Sequence, residues 1–346
     1  MKGRSVILDH IGGRIAAALM VDGRLEDLLI DPADEAPAPG AILRAVVDRQ
    51  VKGQGGVFLR LPSGNAFLRQ AKGLAPGQAL LVQVTGHAEQ GKAVPVTTRL
   101  LFKSRYAIVT PDAPGLNVSR AIRDDDERDR LLEIAHEEMA DAPEGRGLIL
   151  RSACAGAEAE AVAGDIAAMR DLAEAVLADA AGGPELLLDA PDAHTLAWRD
   201  WAEPAPDEVI ERDGAFADLG VLDAIDALEG AQPLPGGASV FVEPTRALVA
   251  VDVNTGADTS PAAGLKANIA AARDLPRQLR LRGLGGQITV DFAPMPKKDR
   301  RQLEQVLRAA FRADPVETIL AGWTPLGHFE LQRKRERRPL TESLPR

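Results

Sequence analysis

Two apolar runs separated by a helical pattern constrain this chain more than any other feature. Leu248 to Gly256 reads LVAVDVNTG, and about forty residues later Gly286 to Phe292 reads GQITVDF. Each run is short and rich in β-branched residues, as buried strands are, and each ends in an aspartate where a strand leaves the core. Between them, residues 265–282 repeat at helical spacing. Leu265, Ile269, Ala272 and Leu279 fall on one face, and Lys266, Arg273, Arg277 and Arg280 on the other. Strand, helix and strand in that order make a crossover that lays the two strands parallel. Asp252 and Asp291 are then expected at one edge of the sheet, where α/β sheets bind ligands.

Two carboxylates a few ångströms apart repel unless a cation lies between them. Mg²⁺ suits such a place because it takes one or two carboxylates and fills the rest of its shell with water and phosphate oxygens. Asn254 stands two residues beyond Asp252, on the same face of an extended chain, and can orient that carboxylate. Such a site fits metal-assisted phosphodiester hydrolysis. Spacing alone also fits a plainer reading, in which each aspartate only caps the following turn. A calcium loop is excluded, because DVNTGAD puts glycine at the fifth position and Ala263 stands where a bidentate glutamate is needed.

Upstream, GRIAAALMVDGRLEDLLI (residues 13–30) reads as two strands joined at Asp22-Gly23. From 41 to 100 come five short strands, AILRAVV, GGVFLRL, NAFLR, ALLVQVTG and KAVPVTT, which suggest a small barrel of the OB type. Phe58 and Phe67 flank the PSGN turn, either as rings that stack on bases or as barrel core. Next come a strand pair, an acidic helix near 124–140 and an Ala-rich helix near 157–181. A short LLLD strand and a helix near 217–229 follow. From 233 the pattern is a hairpin, the helix near 265–282, the ITVDF strand, a helix near 298–313 and the strand LGHFELQ. Together these imply an α/β (mixed α+β), multidomain chain whose last part holds a mostly parallel sheet.

The net charge of −10 conceals a pattern that matters for partners. Residues 1–106 carry 14 basic and 9 acidic side chains, residues 107–232 carry 9 and 30, and residues 265–346 carry 17 and 9. Basic ends around an acidic middle are compatible with binding a phosphate backbone, and the basic face of the 265–282 helix is a natural track for one. A solvated charged face is the simpler explanation for any one of those residues, and the run RKRERR (Arg333 to Arg338) can likewise be read as an unstructured basic tail. The single Cys154 excludes an internal disulfide and is expected to be a buried small hydrophobe. The N-terminus lacks the apolar core of a signal peptide and no apolar run is long enough to span a bilayer, so the expectation is a cytoplasmic protein with no membrane contact.

The segments ALVAVDVNTG, RQLRLRGLGGQITVDF and LGHFELQRKR, in that order, closely resemble the catalytic core of the ribonuclease E/G family over roughly 233–338. The family pattern is a D-x-N strand, an R-Q-L-R-L-R-x-L-G-G helix exit and an I-D-F strand. Weaker similarity reaches the N-terminus through Val118-Ser119-Arg120 and Leu150-Arg151-Ser152. The resemblance implies an endoribonuclease that cuts single-stranded RNA with Mg²⁺, or Mn²⁺ in its place, and leaves 5′-phosphate and 3′-hydroxyl ends. It implies that Asp252 and Asp291 hold the metal and that Asn254 supports them. Phe58, Phe67 and Lys92 would then contact RNA with the barrel, Lys266, Arg273, Arg277 and Arg280 with the helix, and Arg151-Ser152 would sense a 5′-phosphate.

The implied architecture is an RNase H-like domain split into residues 1–35 and 184–232. An OB-fold domain at 36–100 and a 5′-sensor domain at 101–183 are inserted in it, and a DNase I-like catalytic domain occupies 233–346. Three departures from the family pattern stand out, the first being that the barrel is short. Leu116-Asn117 replaces a Gly-Gly of the sensor pocket, and the sequence stops at Arg346 before the family's two-cysteine segment. No zinc and no zinc-linked dimer are therefore expected, and the oligomeric state stays open. A non-catalytic RNA-binding protein on the same scaffold is the main alternative, and a Mg²⁺ phosphatase a weaker one. His136, His194 and His328 are scattered and receive no role.

Overall fold

A computed structural model describes residues 2–32, 36–51, 55–88 and 91–344. The chain divides into two units, Met1–Ala33 with Asp207–Arg346, and Asp34–Pro206. The boundary expected at 35/36 touches residues 33–35, which lie outside the described residues.

The first unit opens with an antiparallel meander of β1 (Arg4–Ile11), β2 (Arg14–Val21) and β3 (Arg24–Ile30). The turn between β2 and β3 is the expected Asp22-Gly23 pair, at φ 49° and 79°. A two-residue hairpin turn requires that left-handed conformation at both central positions.

In the second unit, β4 (Ile42–Val51), β5 (Gly56–Arg60), β6 (Asn65–Arg69), β7 (Ala79–Val84) and β8 (Val94–Thr97) close an OB-like barrel. These are the five strands read from the sequence. Closure works because β4 is long: its second half pairs with β5 and its first half with β7, while β6 runs parallel to β8. Alternate side chains, among them Leu43, Val47, Val57, Leu59, Leu68 and Val82, fill the interior. The strands β9 (Phe102–Lys103), β10 (Ala107–Thr110), β11 (Gly115–Val118) and β12 (Gly147–Leu150) form a separate sheet. It shares a core with α1 (Asp125–Glu138) and α2 (Ala159–Ala178). α1 starts where the Asp124 carboxylate accepts the Glu127 N–H at 2.8 Å, and three acids follow in its first turn. Cys154 is buried in this core, and burial pushes its thiol up to about 12, so it behaves as the inert hydrophobe expected.

One boundary moves. β13 (Glu185–Leu188) pairs antiparallel with β4, so residues 184–206, including α3 (Ala193–Asp200), join the second unit rather than a later part of the first. The buried Arg44 explains the attachment. Its guanidinium takes the Asp179 carboxylate, the Gly183 carbonyl at 2.7 Å and the Glu185 carboxylate, tying 179–185 to β4.

The first unit resumes with β14 (Glu208–Glu211), parallel to β1. The helix expected near 217–229 is broken into α4 (Ala215–Asp218), α5 (Val221–Asp226) and a short 3-10 turn, because Gly220 interrupts it at φ 73°. The last part runs β15 (Gln232–Pro233), β16 (Ser239–Pro244), β17 (Val249–Asn254), α6 (Pro261–Leu281), β18 (Gly286–Asp291), α7 (Arg300–Ala313), β19 (Thr318–Trp323), β20 (Phe329–Arg333) and α8 (Leu340–Ser343). The sheet order is β15-β16-β17-β18-β20-β19. Only β17 and β18 are parallel; the other pairs are antiparallel, which corrects the expectation of a mostly parallel sheet. Hairpins at both flanks supply the difference, and α6 is the crossover between the parallel pair. Ser260 caps α6 by accepting the Ala263 N–H, with Pro261 in the first turn. Core residues of α6 and α7, including Ala271, Leu275, Leu303 and Leu307, pack with Val251, Ile288, Val290 and Leu331 of the sheet.

The helix exit RGLGG has a steric reason. Gly283 has φ 62°, and a Cβ there would lie 1.8 Å from the Arg338 carbonyl oxygen; Gly286, at φ 92°, meets the Arg335 guanidinium. The segment 334–339 therefore lies directly against this turn, and RKRERR is docked rather than a loose tail. Arg337 pairs with the buried Asp27, and Arg333 with Asp314. Asp314, fully buried, accepts from both Arg280 and Arg333 at 2.5 Å. Asp314→Ala strands the buried Arg333 and leaves Arg280 with Glu26 and Asp27, and it is expected to destabilise the chain by about 3–5 kcal/mol, measured as a lower midpoint of urea unfolding. A change below about 1 kcal/mol would mean that the pair is not a structural hub.

Candidate functional site

Alternation along the last sheet sends every second side chain away from α6 and α7. Val249, Val251 and Val253 of β17 are buried, while Asp252 and Asn254 are exposed; on β18, Ile288 and Val290 are buried and Asp291 is exposed. Asp252 and Asp291 are direct register partners across the parallel pair. The two carboxylates thus stand side by side on the open face near the strand ends, as the spacing suggested, though on a face rather than beyond an edge. Asn254 donates its Nδ2 hydrogen to the Asp252 carboxylate at 2.8 Å.

A shallow groove of about 310 Å³ surrounds them, lined by Phe241, Glu243, Ala250, Asp252, Thr289, Asp291 and His328 together with Leu248 and Val251. The lining holds three carboxylates and no lysine or arginine. This donor set fits a divalent cation, because hard oxygen ligands gather there without a side-chain cation to neutralise them. His328, given no role from sequence, lies with its Nε2 3.8 Å from Asp291 Oδ1. Only strand register brings it there, so no spacing rule could have found it. A second acidic group, Asp9, His10 and Asp213, also lies in the first unit. There the buried Asp9 already accepts the Gly214 and Phe216 N–H groups, at 3.2 and 2.8 Å, and so serves the turn into α4.

The basic face of α6 separates into two kinds of residue. Lys266 and Arg273 are exposed. Arg277 and Arg280 turn inward, with side chains only 11% and 10% exposed, and engage Glu26, Asp274 and Asp314. The expectation of four solvent-facing cations therefore fails for these two. The cause is that α6 is covered on both sides, by its own sheet and by β3, so no full face of it is free for charge.

On the barrel, Phe58 and Phe67 face each other across β5 and β6 with ring centroids 5.3 Å apart, and neither belongs to the interior cluster. The Arg49 guanidinium sits 5.1 Å above the Phe58 ring. Gly56 leaves room for the Phe67 ring, whose Cζ would be 2.5 Å from a Cβ at that position. The two rings are half-buried outside the interior cluster, which sets aside the barrel-core reading. Lys92 is exposed.

Arg151 is engaged within its own unit. Its guanidinium donates to the Ser104 carbonyl at 2.7 Å, the Arg199 carbonyl at 3.2 Å and the Asp200 carboxylate at 2.7 Å, so it anchors α3. Ser152 begins the short turn that follows, and Leu116-Asn117 lies within β11. Burial alone would raise the Asp200 carboxyl, but Arg199 and then Arg151 outweigh it and hold it below the ordinary value of 3.8.

A family model described as the ribonuclease E/G family matches residues 102–219 and 208–336. Ribonuclease E of Nostoc sp. is 28% identical over 92% of this chain and 54% of its own length. Ribonuclease G of Salmonella typhimurium is 30% identical over 75% and 60%, and ribonuclease E of Escherichia coli 29% over 78% and 29%. The chain spans about half the length of the first of these relatives. No helix among the described residues is long and apolar enough to cross a membrane.

A carboxyl held low in the folded state stabilises it at neutral pH, and that contribution fades as acid protonates the group. Asp200→Asn is expected to lower the thermal midpoint at pH 7. The gap from the native chain should narrow as pH falls below 3.8, and a gap independent of pH would show that the Arg151 and Arg199 pairing does not hold α3.

Proposed function

The chain belongs to the ribonuclease E/G family, and from that premise we propose that it is a metal-dependent endoribonuclease of the cytoplasm that cuts single-stranded RNA in RNA processing or decay. The observation that carries the reading is the register pairing of Asp252 with Asp291 on an open, acidic face. Asp252 and Asp291 would hold a divalent cation, Mg²⁺ or Mn²⁺. The Asn254 amide, which donates to the Asp252 carboxylate, would support it. A cation held there would supply positive charge at the scissile phosphate and Lewis acidity toward the attacking water, the chemistry proposed to leave 5′-phosphate and 3′-hydroxyl ends.

The remaining assignments follow from the same family. The barrel is proposed as an OB-fold RNA-binding domain, with Phe58 and Phe67 as stacking surfaces and the exposed Lys92 as a further RNA contact. β1–β3 with β14 and the short helices after it are proposed as the RNase H-like part, residues 101–183 as a sensor-like domain, and residues 233–346 as the DNase I-like catalytic domain. Lys266 and Arg273 are the helix cations left to face an RNA backbone. Arg151 and Ser152 are proposed to sense a 5′-phosphate, which requires Arg151 to exchange its Asp200 partner for the phosphate.

The purified chain is expected to cleave A/U-rich single-stranded RNA with Mg²⁺ and to stop in EDTA. Asp252→Asn and Asp291→Asn should each abolish cleavage while RNA binding persists. Cleavage retained in both variants would remove the site assignment, whereas salt-sensitive binding without cleavage under any metal would favour the non-catalytic alternative. Phe58→Ala and Phe67→Ala are each expected to weaken RNA binding by about 1–3 kcal/mol, read by fluorescence anisotropy in the Asp291→Asn background. Unchanged affinity in both would leave the rings a purely structural pair.

A further inference from the structure

We propose that His328 is a third ligand of the cation held at Asp252 and Asp291, and that its imidazole tilts the site from Mg²⁺ toward a first-row transition cation. The proposal rests on the assignment of those aspartates as metal ligands.

The argument begins with register. Val290 of β18 faces Phe329 of β20, and the next step along the antiparallel pair sets Asp291 against His328. Phe329 is buried, so its neighbour His328 falls on the opposite, open face. Asp252 faces Phe241 on one side and Asp291 on the other. One row of side chains therefore crosses four strands in the order Phe241, Asp252, Asp291, His328, and all four line the same groove.

Distance then separates a ligand pair from a hydrogen bond. At 3.8 Å, His328 Nε2 is too far from Asp291 Oδ1 to be held by it. Two donors that share one ion at right angles, each about 2.1 Å from it, lie about 3 Å apart. A small rotation of either exposed side chain closes that difference. Neighbouring strands are about 4.8 Å apart, so Asp252 and His328 flank Asp291 from either side. As they stand, the donor atoms of Asp252, Asp291 and His328 do not all lie within 4.8 Å of one another, so an ion above Asp291 would draw the exposed Asp252 and His328 side chains inward from either side.

The imidazole is also well anchored at its root. The His328 N–H donates to Thr324 Oγ1 at 3.1 Å, and the Thr324 N–H donates to the His328 carbonyl at 2.8 Å, which locks the turn 324–328. The side chain stays 38% exposed, open to an incoming ion. Mg²⁺ takes oxygen ligands almost exclusively, whereas an imidazole nitrogen favours Co²⁺, Zn²⁺ and their neighbours.

The test uses the full chain with the metals alone. Pulsed EPR of bound Mn²⁺ should show nitrogen coupling in the native protein and none in His328→Leu. By calorimetry, Co²⁺ affinity should fall at least about tenfold in His328→Leu while Mg²⁺ affinity changes less than about threefold. Circular dichroism checks that the variant is folded, and the native EPR measurement needs no variant at all. If Mn²⁺ binds and Asp291→Asn removes it, yet the native spectrum lacks nitrogen coupling, His328 is not a ligand and the aspartate assignment stands. If Asp252→Asn and Asp291→Asn bind both metals as the native chain does, the aspartate assignment itself falls.

Discussion

The geometry of the acidic face depends on one strand pairing, the parallel register that sets Asp252 opposite Asp291. Side chains alternate with period two, so a slip of one residue in either strand would bury a carboxylate among Val251, Val253 and Val290 and expose a valine instead. The hydrophobic cluster beneath the sheet, with Ala271, Leu275, Leu303 and Leu307 packed among those valines, penalises that slip strongly. The carboxylates are thus positioned by apolar side chains that never touch them, and their own repulsion can remain uncompensated on the solvent side.

The second theme is the use of arginine. Arg277, Arg280, Arg333 and Arg337 meet Glu26, Asp27, Asp274 and Asp314 in and around the packing between α6, β3 and the C-terminal segment. Burial is deep enough there to lower the Arg333 guanidinium and to push Arg282 down to about 10, and Arg337 with Arg280 holds the Asp27 carboxyl below its ordinary range despite burial. A guanidinium suits these places because its planar fork can serve several acceptors at once. The RQLRLR motif is accordingly part of the packing of the first unit, and the glycines after it leave room for residues 334–339, whose backbone meets Gly283 and Gly285 and whose Arg335 side chain meets Gly286.

The barrel follows a different logic. Its small interior is filled by Val, Leu and Ala, which leaves no room for an aromatic ring, so Phe58 and Phe67 stand on the outer surface where a glycine makes space for one of them. In a chain with 3% aromatic residues, two rings tilted against each other outside a barrel are a marked departure from where such residues usually go.

The sequence by itself determined the strands of the barrel, the Asp22-Gly23 hairpin, the crossover helix between the two aspartates and the family to which the chain belongs. These are local matters, set by period, turn chemistry and short motifs. It left undetermined which way Phe58 and Phe67 point, which arginines are consumed by internal pairs, that β13 adds to the barrel, and that His328 stands beside Asp291. Each of those depends on partners far apart in the chain, such as Arg280 with Glu26 or Asp291 with His328. A helix wheel assigns one solvent face, but α6 is covered on two sides, and a strand pattern gives alternation without saying which neighbour it meets. Only the tertiary structure supplies that second surface, because burial and register arise between elements and not within them.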